Sequence, residues 1–324
     1  LGFDKFHKNN KKIFQLYSEF YNKEKTDLSN SFGFPAASVY KAESPAIEKS
    51  SRFLFGGSNA WLGEKEVDLF VSLVDEDFLS MFSFPSVKGN RQNPLQSTGN
   101  IVLTENAAKK VFGNEDPVGK TIKTTAGGQM HALMVTAVLK DLPQNSSLKF
   151  DALARIELRT DFVKDKDNWN NQHHPVYVML GQGATQQQAE KEIRFANKKH
   201  LADWDDGMAK NGAIADKNGD YFATKLLPLK EVHFSKMTGS AVQKSQLFTV
   251  LSIGLLIILL ACFNFININL ANAFTRSKEI AVRKCLGVAK EKLFAQLWSE
   301  SFLVCFIAFL LSLALVNIFI YILN

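Results

Sequence analysis

The chain has 324 residues and a net charge of +6, from 38 Lys and Arg against 32 Asp and Glu. That length admits two or three domains. Basic residues are spread along the chain and Lys far outnumbers Arg, which excludes nucleic-acid recognition as the main task.

The three cysteines, Cys262, Cys285 and Cys305, all lie toward the C-terminal end. The long polar region before them therefore folds on core burial alone, without disulfides. No CxxC or Cys/His metal spacing occurs, so neither a metal nor another cofactor is expected.

In chain order, residues 1–25 read as a helix or strand–helix leaving a membrane, with Phe3, Phe6, Ile13, Phe14 and Tyr17 as apolar positions. Leu1 is not a start methionine and no signal peptide precedes Gly2, so an upstream span is expected. Residues 32–60 are rich in Ser, Ala, Gly and Pro and leave room only for short elements. Within them, residues 53–55 before Gly56-Gly57 read as a strand meeting a turn. Residues 66–74 alternate as a strand, and Asp75-Glu76-Asp77 suits the start of a helix whose apolar face is Phe78, Met81, Phe82 and Phe84.

Residues 101–103 form a short buried strand. Thr104 caps a helix from Glu105 to Phe112 that Gly113 ends. A hairpin follows, with strands at 121–124 and 133–139 around Gly127-Gly128. Residues 141–147 are a loop and 150–158 a strand. Residues 160–175 read as a surface loop and 176–180 as a strand. Thr185 caps a helix running to about His200, with Ala189, Ile193 and Ala196 on one face. Residues 203–220 read as an exposed loop, and 221–229 return as a strand.

No charged residue occurs from Ser245 to Thr275 or from Ser301 to Asn324. Either run supplies the about 20 helical residues that a bilayer core requires. Buried helices of a soluble protein are shorter, roughly 10–14 residues. Residues 276–292 carry six Lys/Arg against Glu279 and Glu291. Short loops rich in Lys/Arg stay on the cytoplasmic side, which places residues 1–245 outside.

The loop itself reads as a helix. Glu279 and Arg283 stand at i, i+4 in the favourable order. Ile280, Ala281, Lys284 and Cys285 share a side with Leu286 close by, and Gly287 ends the helix. Such a cationic amphipathic helix either lies on anionic lipid or docks its apolar edge in a groove of a cytosolic partner.

Two features of the spans stand out. Asn264, Asn267 and, less closely, Asn272 fall toward one side of the first span, where amides seek a neighbouring helix. Glu300 enters the membrane with the second span and requires a cationic or backbone partner, or a place facing the bundle interior.

Other candidates are weak. Gly113 with Gly119-Lys120-Thr121 has five residues between the glycines where a phosphate loop needs four, and its helix–strand context is reversed. Residues 216–220 fit a solvated turn better than a calcium loop. His173-His174 lacks a third metal ligand at helical spacing. No Ser/His/Asp or Cys/His nucleophile arrangement can be assembled, so no catalytic residue is assigned.

Ala261-Cys262-Phe263-Asn264-Phe265-Ile266-Asn267, then Arg276-Ser277-Lys278-Glu279-Ile280-Ala281-Val282-Arg283-Lys284-Cys285-Leu286-Gly287, then Gln296-Leu297-Trp298-Ser299-Glu300-Ser301 resemble the MacB/FtsX-like permeases of ABC transporters. Phe3-Asp4-Lys5-Phe6-His7, Val74-Asp75-Glu76-Asp77-Phe78, Asp116-Pro117-Val118-Gly119-Lys120 and Leu227-Pro228-Leu229-Lys230-Glu231-Val232-His233 resemble the family's periplasmic core domain. Ala281 departs from the pattern, where Gly is common.

The resemblance implies an α+β extracytoplasmic two-lobed domain followed by transmembrane α-helices. The core lobe would cover 1–150 with a return strand at 221–240, and an inserted second lobe would cover 151–220. A transmembrane helix over 245–272, a cytoplasmic loop over 273–294 and a second transmembrane helix over 295–323 follow. Further spans are expected before residue 1 and after residue 324.

It also implies a bacterial inner-membrane subunit whose ATP hydrolysis resides in a separate cytosolic ABC ATP-binding subunit. The coupling residues expected are Arg276, Lys278, Glu279, Ile280, Arg283, Lys284, Leu286 and Gly287, and Glu300 belongs to the motif. Asn264, Asn267 and Glu300 are the expected helix-packing residues. Membrane lipid and a second permease, as a homodimer or a paired subunit, are the other expected partners. The rival reading is a membrane-bound sensor with a cytoplasmic signalling module.

Overall fold

The computed structural model describes residues 2–23, 25–235, 237 and 244–323. They form two compact units, Leu1–Lys244 and Ser245–Asn324. The first unit comprises, in chain order, β1 (Ile13–Tyr21), β2 (Thr26–Ser29), α1 (Ala36–Glu43), β3 (Ile47–Leu62), β4 (Lys65–Val74), α2 (Phe78–Met81), β5 (Ser86–Gly89), β6 (Asn100–Thr104) and α3 (Glu105–Phe112). It continues with β7 (Thr121–Thr124), β8 (His131–Leu139), β9 (Ala152–Arg155), α4 (Phe162–Asp165), β10 (Val176–Leu180), α5 (Gln186–His200), α6 (Ala202–Lys210), β11 (Phe222–Pro228) and α7 (Leu229–Val232). The second unit holds α8 (Lys244–Thr275), α9 (Ser277–Cys285) and α10 (Lys290–Leu323).

The described strands join in one sheet of order β11-β1-β10-β3-β4-β9-β6-β8-β5, with β2 on β1 and β7 on β3 and β8. The long β3 is shared by both halves. Its first part pairs with β10 (Ser51 opposite Tyr177), and its second with β4 (Leu54 opposite Leu73). Gly56-Gly57 therefore does not end the strand. The register shifts there instead, and a Cβ on Gly57 would stand 2.8 Å from the Thr125 carbonyl oxygen. The glycines permit a bulge and a close backbone approach, which is a common use of Gly inside a strand.

Within residues 151–220, β9 pairs with β4 (Val71 opposite Ala152) and belongs with residues 53–139, while β10 pairs with β1 and β3. One core joins Phe14, Leu16, Tyr40, Val178, Ile193 and Leu226 under α1 and α5. A second gathers Leu73, Ile101, Leu103, Val111, Val135 and Ala154 under α3. A third, at the junction, packs Phe78, Phe82, Val102, Leu153, Tyr177 and Leu229.

Local signals set several elements as expected. The Thr104 hydroxyl accepts from Ala107 N at 3.3 Å, opening α3, and Gly113 leaves it at φ +64°. The Thr185 hydroxyl accepts from Gln188 N at 3.2 Å, opening α5. Elsewhere the outcome differs. Residues 13–21 form a strand, because Phe14 and Leu16 on one face and Ile13 on the other are buried by neighbouring strands that the local sequence does not show. Residues 202–210 form a helix with Asp203 and Asp205 in its first turn and Lys210 in its last, an arrangement that suits the helix dipole despite Gly207. The expected strand at 150–158 shortens to β9 and a 3-10 turn over Ile156–Leu158.

The acidic run at 75–77 has a different use from the one expected. Only a four-residue helix follows it, and Asp77 makes no side-chain cap. Asp75 instead accepts from Arg52 N (2.7 Å) and Arg52 Nε (3.0 Å) and pairs with Arg52 Nη2. Arg52 is buried, donates Nη1 to the Phe34 carbonyl and stacks over the Phe34 ring.

Two buried histidines give the unit an acid-sensitive interior. His174 packs edge-on against Phe34, and neither ring nitrogen has a hydrogen-bond partner among the described residues. Burial, aided by the Arg52 charge, pulls its pKa from 6.5 to about 3. Burial likewise holds His7 at about 4. Unfolded, both titrate near 6.5, so below that pH the unfolded chain binds protons that the folded chain does not. Stability is intact above pH 6.5 and falls as pH drops toward 4, by up to about 1.4 kcal/mol per pH unit for each histidine. His174→Phe should match or exceed the parent in urea melts at neutral pH and flatten that acid slope. A slope unchanged by the substitution would contradict the assignment.

Candidate functional site

The second unit carries the features singled out in the spans. Phe248–Thr275 and Lys290–Phe319 are long and apolar enough to cross a membrane, and no part of either apolar window is buried within the chain. Core helices of a soluble protein would be covered; these expose Leu256, Ile257, Leu260, Phe309 and Leu311. Between α8 and α9 the helix is interrupted only at Arg276 (φ −88°, ψ 2°). α9 closes as its sequence demands. Gly287 takes φ +83°, its N–H donates to Lys284 O at 3.1 Å, and Val288 N donates to Arg283 O at 3.2 Å. This is the paired hydrogen bonding of a Schellman end, which favours glycine at the left-handed position.

Glu300 finds its cation here. Arg276 Nη1 donates to Glu300 Oε2 at 2.7 Å and Nη2 donates to Oε1 at 3.0 Å, a two-pronged pair joining the foot of α8 to α10. Such fork-to-fork pairing fixes orientation as well as charge. One turn further along, Arg283 Nη1 donates to Gln296 Oε1 at 3.1 Å while Nη2 pairs with Glu279. Arg276, Glu279, Ile280 and Arg283 thus line a cleft against Leu293, Gln296 and Glu300. Lys278, Lys284 and Leu286 stand exposed on α9, as does Val282.

The amides divide in the same way. Asn269 and Asn272 line a groove with Arg276, Ile280, Glu300 and Ser301, and Asn269 is half-buried. Asn264 and Asn267 are exposed and lie off that groove. Counting back from Arg276 by four and by seven reaches Asn272 and Asn269, so helical spacing from the charged residue is the signal that marks them.

In the first unit, two of the motif stretches and the 141–147 loop meet at one corner. Asp4 N donates to Asn145 O at 2.9 Å, Asn145 Nδ2 donates to Gly2 O at 2.9 Å, and Ser147 N donates to Asp4 Oδ1 at 2.9 Å. Phe3 stacks on His233 with ring centroids 3.4 Å apart. The N-terminal turn, the 141–147 loop and the segment after β11 are therefore fastened together.

The weak candidates remain ordinary structure. Asp216 Oδ1 accepts from Asn218 N and Asp220 N at 2.7 and 3.0 Å, closing a surface turn. His173 Nε2 lies 2.7 Å from Arg159 Nη1. No group of three or more metal-ligating side chains occurs among the described residues.

Comparison with known proteins agrees with this arrangement. The MacB-like periplasmic core domain family matches residues 4–196, and the FtsX-like permease C-terminal family matches residues 251–324. No curated protein matches the chain. Among solved structures, a domain assigned to a permease protein from Porphyromonas gingivalis has a TM-score of 0.56 at 21% identity, over 68% of this chain and 91% of that one. It shares the fold.

The periplasmic region of MacB from Actinobacillus actinomycetemcomitans aligns at TM-score 0.42 and 15% identity, over 65% of this chain and 88% of that one. The extracellular domain of the noncanonic ABC-type transporter YknZ from Gram-positive bacteria aligns at 0.44 and 16%, over 66% and 99%. Both superpose too loosely to add to the argument. An extracytoplasmic α/β unit of the first family, followed by two apolar helices of the second, makes this a membrane protein with an extracytoplasmic segment. The chain belongs to the MacB/FtsX-like permeases of ABC transporters.

Proposed function

We propose that this permease works by passing motion, not by chemistry of its own. Family members work with a cytosolic ABC ATPase. In this reading that partner grips α9 through the exposed stripe Lys278, Val282 and Leu286, at i, i+4 and i+8, with Lys284 beside it. Val282 in α9 and Leu286 at its C-cap present two apolar side chains four residues apart beside Lys278, which suits a groove on a partner. Arg276, Glu279, Ile280 and Arg283 face inward and tie α9 to α10. A push on α9 is then shared by both spans and carried along the chain to the extracytoplasmic unit, whose ends are fastened at the Phe3–His233 corner.

The observation that carries this reading is the two-pronged Arg276–Glu300 pair. Membrane-facing carboxylates are retained where they have a partner and a task. Deletion of residues 276–287 should abolish co-purification of the ATPase subunit while the extracytoplasmic unit keeps its fold by circular dichroism. Normal partner binding by the deleted protein would refute the reading.

A further inference from the structure

A groove of about 620 Å³ opens on the first unit between its N-terminal turn and β11. Phe14 and Pro228, opposite each other in the β1–β11 pairing, form its floor, and Lys5, Lys11 and Lys230 rim it. Asn10 and Gln186 add polar groups.

The charge here is unbalanced. Residues 2–12 contain Lys5, Lys8, Lys11 and Lys12, all exposed, and one carboxylate, Asp4. Asp4 is buried and committed to Ser147. None of these four lysines has an ion-pair partner among the described residues, and Lys230 has only its neighbour Glu231 at 4.0 Å. Lys41, Lys120, Arg155 and Lys199, by contrast, each face a carboxylate. His7, held neutral by burial, adds no charge to the patch.

We propose that this groove binds the anionic headgroup of a membrane phospholipid. Unpaired lysines around an apolar floor suit a phosphate attached to an acyl-bearing body, and the groove is far larger than a free phosphate requires. Lys230 lies in α7, the last described helix before the long apolar α8. The patch is thus on a part of the chain tethered to the bilayer. Each lysine near an anionic surface changes binding about fivefold, and the attraction fades once salt shortens the screening length.

The test uses the full chain in nanodiscs of phosphatidylcholine, with and without phosphatidylglycerol, read by amide hydrogen exchange over residues 5–14 and 226–230. Phosphatidylglycerol should slow exchange in both stretches. The combined variant Lys5→Gln, Lys11→Gln, Lys230→Gln and high salt should each abolish the slowing. These side chains are exposed, so the variant should fold, and unchanged exchange over Val176–Leu180 checks that it has. Exchange indifferent to phosphatidylglycerol would overturn the proposal. Equal protection by inorganic phosphate in neutral nanodiscs would overturn the lipid assignment in favour of a soluble anion.

Discussion

Glu300→Gln and Arg276→Gln should each lower ATP turnover by the reconstituted permease–ATPase complex about tenfold, in the range of coupling lost when one member of an interacting pair is removed. The ATPase subunit should still co-purify, because Lys278, Val282 and Leu286 remain presented on α9. Reversing both charges, Arg276→Glu with Glu300→Arg, should restore much of the loss, since among the described residues the two side chains bond only to one another. Wild-type turnover in both single variants would remove the pair from the transmission path.

Arg52→Ala should be the most damaging single change to the extracytoplasmic unit. It removes the guanidinium that three times contacts Asp75 or the Phe34 carbonyl and leaves a largely buried carboxylate without its cation. Breaking a buried pair from one side costs about 3–5 kcal/mol, against a total domain stability of about 5–15 kcal/mol. The midpoint of urea unfolding should fall accordingly. Replacing both partners, Arg52→Met with Asp75→Leu, should recover most of it, because no lone charge is then stranded. A single variant as stable as the parent would show that the pair is not holding the junction.

The contrast between Thr104 and Asp75 shows what the sequence could reveal. Thr104 and Gly113 act on backbone within a few residues, so the start and stop of α3 were legible. Thr185 and α5 follow the same logic. Asp75 answers to Arg52, 23 residues earlier and on another strand, and nothing local distinguishes it from a helix-start carboxylate. Gly56-Gly57 read as a turn because the neighbours that demand small residues there, Leu73 and Thr125, arrive only through folding. The pairing of β10 was hidden for the same reason, since it closes against β1 and β3, strands far away in sequence.

In the membrane unit, the need of Glu300 for a partner was legible from its place at the edge of an apolar run. The identity of that partner was within reach, because Arg276 bounds the preceding run on the same side. The choice among the amides was not. Asn264, Asn267, Asn269 and Asn272 have the same chemistry, and only their place around α8 separates Asn269 and Asn272, which line the groove, from the other two.

The account stands on the basic loop facing the cytosol, and Cys285 at the end of α9 reports on that directly. With Cys262 and Cys305 replaced by serine, a membrane-impermeant maleimide applied to intact cells should leave the protein unlabelled and should label Cys285 once the membrane is opened. Labelling of Cys285 from outside sealed cells would invert the topology and leave α9 with no ATPase to meet.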